Sequence, residues 1–152
     1  MPEAAPEFVY TVYIAAPVER VWNALVDGDV TRKYWGHENR SDWKPGSRWE
    51  HRAVDGGKVQ IVGKVVESTP PRRLVITWAS PADENDPAAT SRVTFELDPM
   101  DEMVRLTVTH DRLVAGSKMD QGIRNGWPRV LASLKSLLET GKPLPTWAKA
   151  TR

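Results

Sequence analysis

From Phe8 to His110 apolar and polar residues mostly alternate one by one. Beyond Ser117 the apolar spacing changes to three and four. Single alternation puts every second side chain on one face of a strand, and recurrence at i, i+3 and i+4 marks one face of a helix. Phe8–Ile14 mixes aromatic, β-branched and polar residues and predicts a strand. Next, Val18, Val21, Trp22, Leu25 and Val26 share one helical face. Pro17 suits the first helical position, where its missing N–H costs nothing, and Gly28 marks the end. Residues 29–35 predict a second short helix closed by Gly36.

Five further segments alternate. In 47–53, Trp49, His51 and Ala53 oppose Arg48, Glu50 and Arg52. One face of 58–67 carries Val59, Ile61, Gly63 and Val65. Leu74, Ile76 and Trp78 align in 72–79, as do Val93, Phe95 and Leu97 in 91–98. In 103–110 the face is Val104, Leu106, Val108 and His110. Asp55-Gly56-Gly57 is a hairpin signal. Parallel strands need crossovers of a dozen or more residues, so the short connections predict an antiparallel meander of about six strands. Gly63, inside an apolar stripe, would permit a bulge or a tight bend.

Residues 117–139 predict one long helix, with Met119, Ile123, Trp127, Val130, Leu131, Leu134, Leu137 and Leu138 at helical spacing. Pro128 removes a backbone donor one residue after Trp127, which predicts a kink or break there. At ~1.5 Å per residue the helix is ~34 Å long, against ~26 Å for an eight-residue strand. It can therefore cross the whole sheet and cover its apolar face. The class is α+β, with two short helices after the first strand and a curved antiparallel sheet wrapped on the C-terminal helix.

Composition narrows the function. A chain of 152 residues with 40% hydrophobic and 27% charged residues predicts one folded domain. The net charge of +1 predicts no nucleic-acid partner, because phosphate binding needs clustered positive charge. No segment approaches the ~20 apolar residues of a membrane span. Met1-Pro2-Glu3-Ala4-Ala5-Pro6-Glu7 lacks a basic start and an apolar run, so the expected location is cytoplasmic. The absence of Cys excludes disulfides and thiolate chemistry, and no cofactor or metal is expected.

Several stretches together resemble a known superfamily. They are residues 14–25 (I-A-A-P-V-E-R-V-W-N-A-L), Pro45-Gly46-Ser47-Arg48-Trp49, Gly63-Lys64-Val65-Val66-Glu67, Pro70-Pro71-Arg72-Arg73-Leu74, Thr77-Trp78, residues 106–110 (L-T-V-T-H) and Gly126-Trp127. In this order they resemble the START-like (SRPBCC, helix-grip) superfamily, in the branch named after the activator of the heat-shock-chaperone ATPase. The resemblance covers roughly residues 8–141 of a single domain. It implies a helix-grip fold. Superfamily members bind lipids, sterols or polyketides, and some are cyclases or hydrolases.

Candidate chemistry sits on the inner faces. Ligand pockets are mostly apolar and aromatic with a few polar groups. Trp49, His51, Trp78, His110 and Trp127 would supply such a lining, and the resemblance favours a cavity there. Met119 and Ile123 precede the expected break, in a half-helix that would act as a lid. The expected ligand is small and apolar or amphipathic, with His51 or His110 as its polar handle. The alternative is a small enzyme using either imidazole as general base. His37-Glu38 lacks the second His of a zinc-protease motif, since Ser41 stands in that place. His110-Asp111 point to opposite faces of a strand and make no dyad. The branch name implies a chaperone partner, against which the seven residues before the first strand argue. An edge strand, or Trp35 and Trp43, leaves room for a homodimer.

Overall fold

The computed structural model describes residues 7–145. Strand β1 (Phe8–Ile14) leads into helices α1 (Val18–Val26) and α2 (Gly28–Trp35). Strands β2 (His37–Arg40), β3 (Arg48–Ala53), β4 (Val59–Thr69) and β5 (Arg73–Trp78) follow. Two short 3₁₀ turns, Pro81–Asp83 and Pro87–Ala89, precede β6 (Ser91–Met100) and β7 (Met103–Asp111). Helix α3 (Lys118–Thr140) ends the described fold. The strands form one antiparallel half-barrel in the order β1-β7-β6-β5-β4-β3-β2.

The class and the clasped helix match the sequence expectation, and local details depart from it. The sheet has seven strands where about six were expected. The added β2 carries only one buried residue, Asn39, so it has no apolar alternation to read. Gly28 does not end α1. Asp27 sits extended between the helices, and its carboxylate caps α2 by accepting the Asp29 N–H at 2.9 Å. Gly28 opens α2, where a Cβ would meet Glu38 Cγ at 2.8 Å and the Asn39 carbonyl at 3.0 Å. Pro17 lies one residue earlier than expected, as the α1 cap.

Helix α3 runs unbroken through Pro128. The proline ring cannot donate to the Arg124 carbonyl, but the apolar face on both sides is packed. Ile123, Trp127, Val130, Leu131, Leu134 and Leu138 are all buried against the sheet. Each such side chain contributes about 1.5–3 kcal/mol, enough to outweigh one lost hydrogen bond.

Gly63 makes a close approach, and the register shifts lie elsewhere, at His51/Arg52 and Val65/Glu67. Trp49 pairs with Gly63 across β3 and β4. Its indole crosses the bare glycine and donates to the Thr77 carbonyl of β5 at 2.7 Å. A Cβ on Gly63 would stand 1.9 Å from that oxygen. The alternating inner residues of β5, β6 and β7 meet α3 in one core.

The two halves of α3 are held differently. At its C-terminal half, Lys135 donates to the Tyr13 carbonyl at 2.5 Å and Glu139 accepts the Ala15 N–H at 2.7 Å. Arg20 donates to the Leu138 carbonyl at 3.0 Å. Among the described residues the N-terminal half meets β1 through the Arg124 guanidinium, 5.6 Å from the Phe8 ring centroid, and it bridges a gap.

Candidate functional site

That gap is a pocket of about 220 Å³ between α2, the sheet and the first three turns of α3. Local sequence explains how α3 begins there. The Ser117 hydroxyl caps the helix by accepting the Asp120 N–H at 3.1 Å. The Asp120 carboxylate accepts the Gly116 N–H at 2.9 Å and the Arg124 guanidinium at 2.7 Å. These bonds, the Gly116 N–H first, hold its carboxyl below the usual range. From this anchored start, Met119, Ile123, Trp127 and Val130 project inward at i, i+4, i+8 and i+11.

Opposite them stand Trp35 of α2, Ile61 of β4 and Trp78 of β5. Trp35 follows from the buried face Thr31, Tyr34, Trp35, which α2 turns toward the core. The Tyr34 hydroxyl donates to the Ala24 carbonyl at 2.7 Å, and burial pushes its pKa up. The indoles touch one another. Trp35 and Trp127 have ring centroids 5.3 Å apart, Trp78 and Trp127 5.6 Å. The Trp78 indole N–H points to Met119 Sδ at 3.2 Å and ties the first turn of α3 to β5. Lys118 stands exposed at the mouth and is the sole charged residue of the lining.

Of the residues singled out in the sequence, Trp78, Met119, Ile123 and Trp127 line this pocket. Trp49, His51 and His110 are packed behind it. Trp49 is 0% exposed, beneath Trp78 at a centroid distance of 5.4 Å. The two histidines do not meet. Trp78 lies between them, 5.8 Å from His51 and 5.4 Å from His110.

Each imidazole has a fixed role. An indole N–H only donates, so the Trp127 bond of 3.0 Å makes His110 Nδ1 the acceptor. His110 Nε2 therefore carries the hydrogen and donates to Ser91 Oγ at 2.7 Å. The Ser91 hydroxyl in turn donates to the Trp78 carbonyl at 3.1 Å. Burial lowers the His110 pKa to about 3. His51 donates from Nδ1 to Asn39 Oδ1 at 2.5 Å and stacks on His37 at 4.1 Å. Burial, with the His37 charge adding to it, holds His51 well below its ordinary value. Both imidazoles are thus neutral at pH 7 and tied into the wall. Among the described residues no three His, Asp or Glu side chains gather as a metal-ligand set.

Sequence reasoning missed Trp35, Ile61, Lys118, Gly122, Gly126 and Val130 as lining. Trp35 and Ile61 carried a readable signal, the apolar side of a short helix and the inner stripe of β4. Lys118 carried none, because its place depends on where α3 starts relative to the sheet.

The family described as activator of Hsp90 ATPase homolog 1-like protein matches residues 15–139. Among solved structures, CalU16 from Micromonospora echinospora superposes with a TM-score of 0.72 at 23% identity, covering 97% of this chain and 82% of that one. An HSP90 activator from Plasmodium falciparum superposes with a TM-score of 0.71 at 26% identity, covering 87% and 95%. The Aha1 dimer from Colwellia psychrerythraea gives 0.74 at 22% identity, covering 90% and 98%. The curated proteins give no significant match.

Proposed function

The chain belongs to the family of activator of Hsp90 ATPase homolog 1-like proteins, and from that premise we propose that it binds a small apolar or amphipathic molecule between the sheet and α3. The observation that carries this reading is the unfilled pocket of about 220 Å³ walled by Trp35, Trp78 and Trp127. Well-packed interiors leave few voids larger than a water molecule. This one lies at the least clamped part of α3 and has an open mouth.

Size bounds the ligand. A cavity of about 150 Å³ accepts benzene, and drug-sized ligands use about 300–1,000 Å³. The pocket suits a one- or two-ring body, or a short acyl chain. A whole sterol would need α3 to move outward. Burial of apolar surface supplies affinity at about 25 cal/mol per Å² before the costs of association.

The general-base reading gains no support from the imidazoles. Both His110 nitrogens are committed to Trp127 and Ser91, and His51 lies behind Trp78. Native mass spectrometry of freshly purified protein, set against a denatured sample, tests the binding reading. A co-purifying mass lost on denaturation is expected. An apo protein that also leaves tryptophan fluorescence unchanged on titration with naphthalene derivatives would remove it.

A second reading, stimulation of a chaperone ATPase, is favoured by the Plasmodium falciparum neighbour at 26% identity. Its test is the chaperone's ATPase rate with and without this protein, and an unchanged rate eliminates it.

A further inference from the structure

Resting on the pocket-binding reading above, we infer that the ligand is a carboxylate anion with a flat one- or two-ring body, its charge at Lys118 and its rings against the backbone of α3 at Gly122 and Gly126. Three observations converge on this.

The first is charge. The walls of the pocket are aromatic and aliphatic, and Lys118 is their one charged group. Among the described residues, Lys118 has no hydrogen bond or ion pair. The nearby carboxylate of Asp120 is engaged by Arg124 and by the Gly116 N–H. Asp83 borders the adjoining hollow that Lys118 also borders, and makes no ion pair with it. The start of α3 adds the positive end of the helix dipole at the same place. A ligand that puts an anion there gains a partner.

The second is glycine. Lys118, Gly122 and Gly126 recur at i, i+4 and i+8, so they form one strip along the rim of the pocket. Inside a helix, glycine is the least favourable residue after proline. Nothing in the protein requires it at these two places. Neither residue has a positive φ, and a Cβ at either would meet nothing within 4 Å. The vacant strip is matched to something lying along it.

The third is length. Eight residues of helix rise ~12 Å, which sets the axial span of the strip between the Cα atoms of Lys118 and Gly126. A fused two-ring acid fits that span; a long-chain fatty acid does not.

Calorimetric titration with 2-naphthoate and with its uncharged analogue 2-naphthamide tests the inference. Wild type should bind the acid about fivefold more tightly than the amide, the scale of one exposed ion pair. Lys118→Met, at an exposed position, should abolish that difference. Gly122→Ala should raise the melting temperature while weakening naphthoate binding, a combination that a purely structural glycine would not give. Equal binding of acid and amide in wild type and in Lys118→Met would overturn the anion assignment and leave the pocket reading standing. Failure of both compounds to bind wild type would overturn the two together.

Discussion

Two buried imidazoles give the protein a specific response to acid. The His110 pKa is lowered to about 3, and that of His51 is also well below 6.5, chiefly through burial. Between the unfolded value near 6.5 and the folded values, the unfolded chain takes up protons that the native state refuses. Their stabilising effect is therefore complete above pH 6.5 and lost as pH falls, by about 1.4 kcal/mol per pH unit for each histidine. The carboxylates held low by their partners, Glu50, Glu84 and Glu139, respond only below their ordinary 4.5. Urea unfolding at about pH 6.5 and about pH 5 thus isolates the histidines. A marked loss of stability is expected for wild type and a smaller one for His110→Gln; a flat wild-type profile would refute it. At the same scale, Gly63→Ala should cost at least ~3 kcal/mol, because the Thr77 carbonyl 1.9 Å from the new Cβ is backbone and cannot swing aside. Denaturant midpoints check this, and a near-neutral change would contradict the close approach. These residues show the limit of the pattern. Trp49 and Trp78 both stand on inner faces and read alike in sequence. Only the passage of the Trp49 indole over Gly63 puts one behind the other.

At the level of elements, α3 shows packing overriding local propensity. Its Pro128 lies inside 23 continuous helical residues, where proline is about 3 kcal/mol less favourable than alanine. Pro128→Ala restores a donor to the Arg124 carbonyl and removes the ring. The flexible unfolded chain gained by the change takes back about 0.4–1 kcal/mol. A net gain of about 2 kcal/mol, or about 4–8 °C in melting temperature, is expected. A lower melting temperature would mean that the ring itself is a needed part of the packing. The sequence foretold a break here because propensity is local, whereas Leu131, Leu134 and Leu138 hold the far side of the proline against the sheet. Most strands were legible, since each buries one face and exposes the other. Strand β2 was not. Its inward residue is Asn39, whose N–H bonds Thr31 Oγ1 at 3.0 Å and whose side chain accepts from His51. A strand anchored by hydrogen bonds leaves no apolar stripe to read.

For the molecule as a whole, the pocket was the least legible feature, because a filled core and an open cavity share one hydrophobic pattern. What separates them is how α3 is fastened. Its C-terminal half is clamped to β1 and α1 through Lys135, Glu139 and Arg20. Its N-terminal half rests on the Trp78–Met119, Trp127–His110 and Arg124–Phe8 contacts, with the pocket beneath. A ligand in that space would add contacts to one half only. At a hundredfold excess over Kd, binding stabilises the fold by about 2.7 kcal/mol, or about 5–10 °C at this chain length. Hydrogen exchange with 2-naphthoate present should therefore slow at residues 118–126, whose local opening breaks the site, while residues 131–139 slow only through the rarer global unfolding. Gly122→Phe, at a rim position where a Cβ meets nothing within 4 Å, should remove both the thermal shift and the added protection while the protein remains folded. No added protection at residues 118–126 would mean that the ligand binds elsewhere. A persistent shift in Gly122→Phe would separate binding from this pocket altogether.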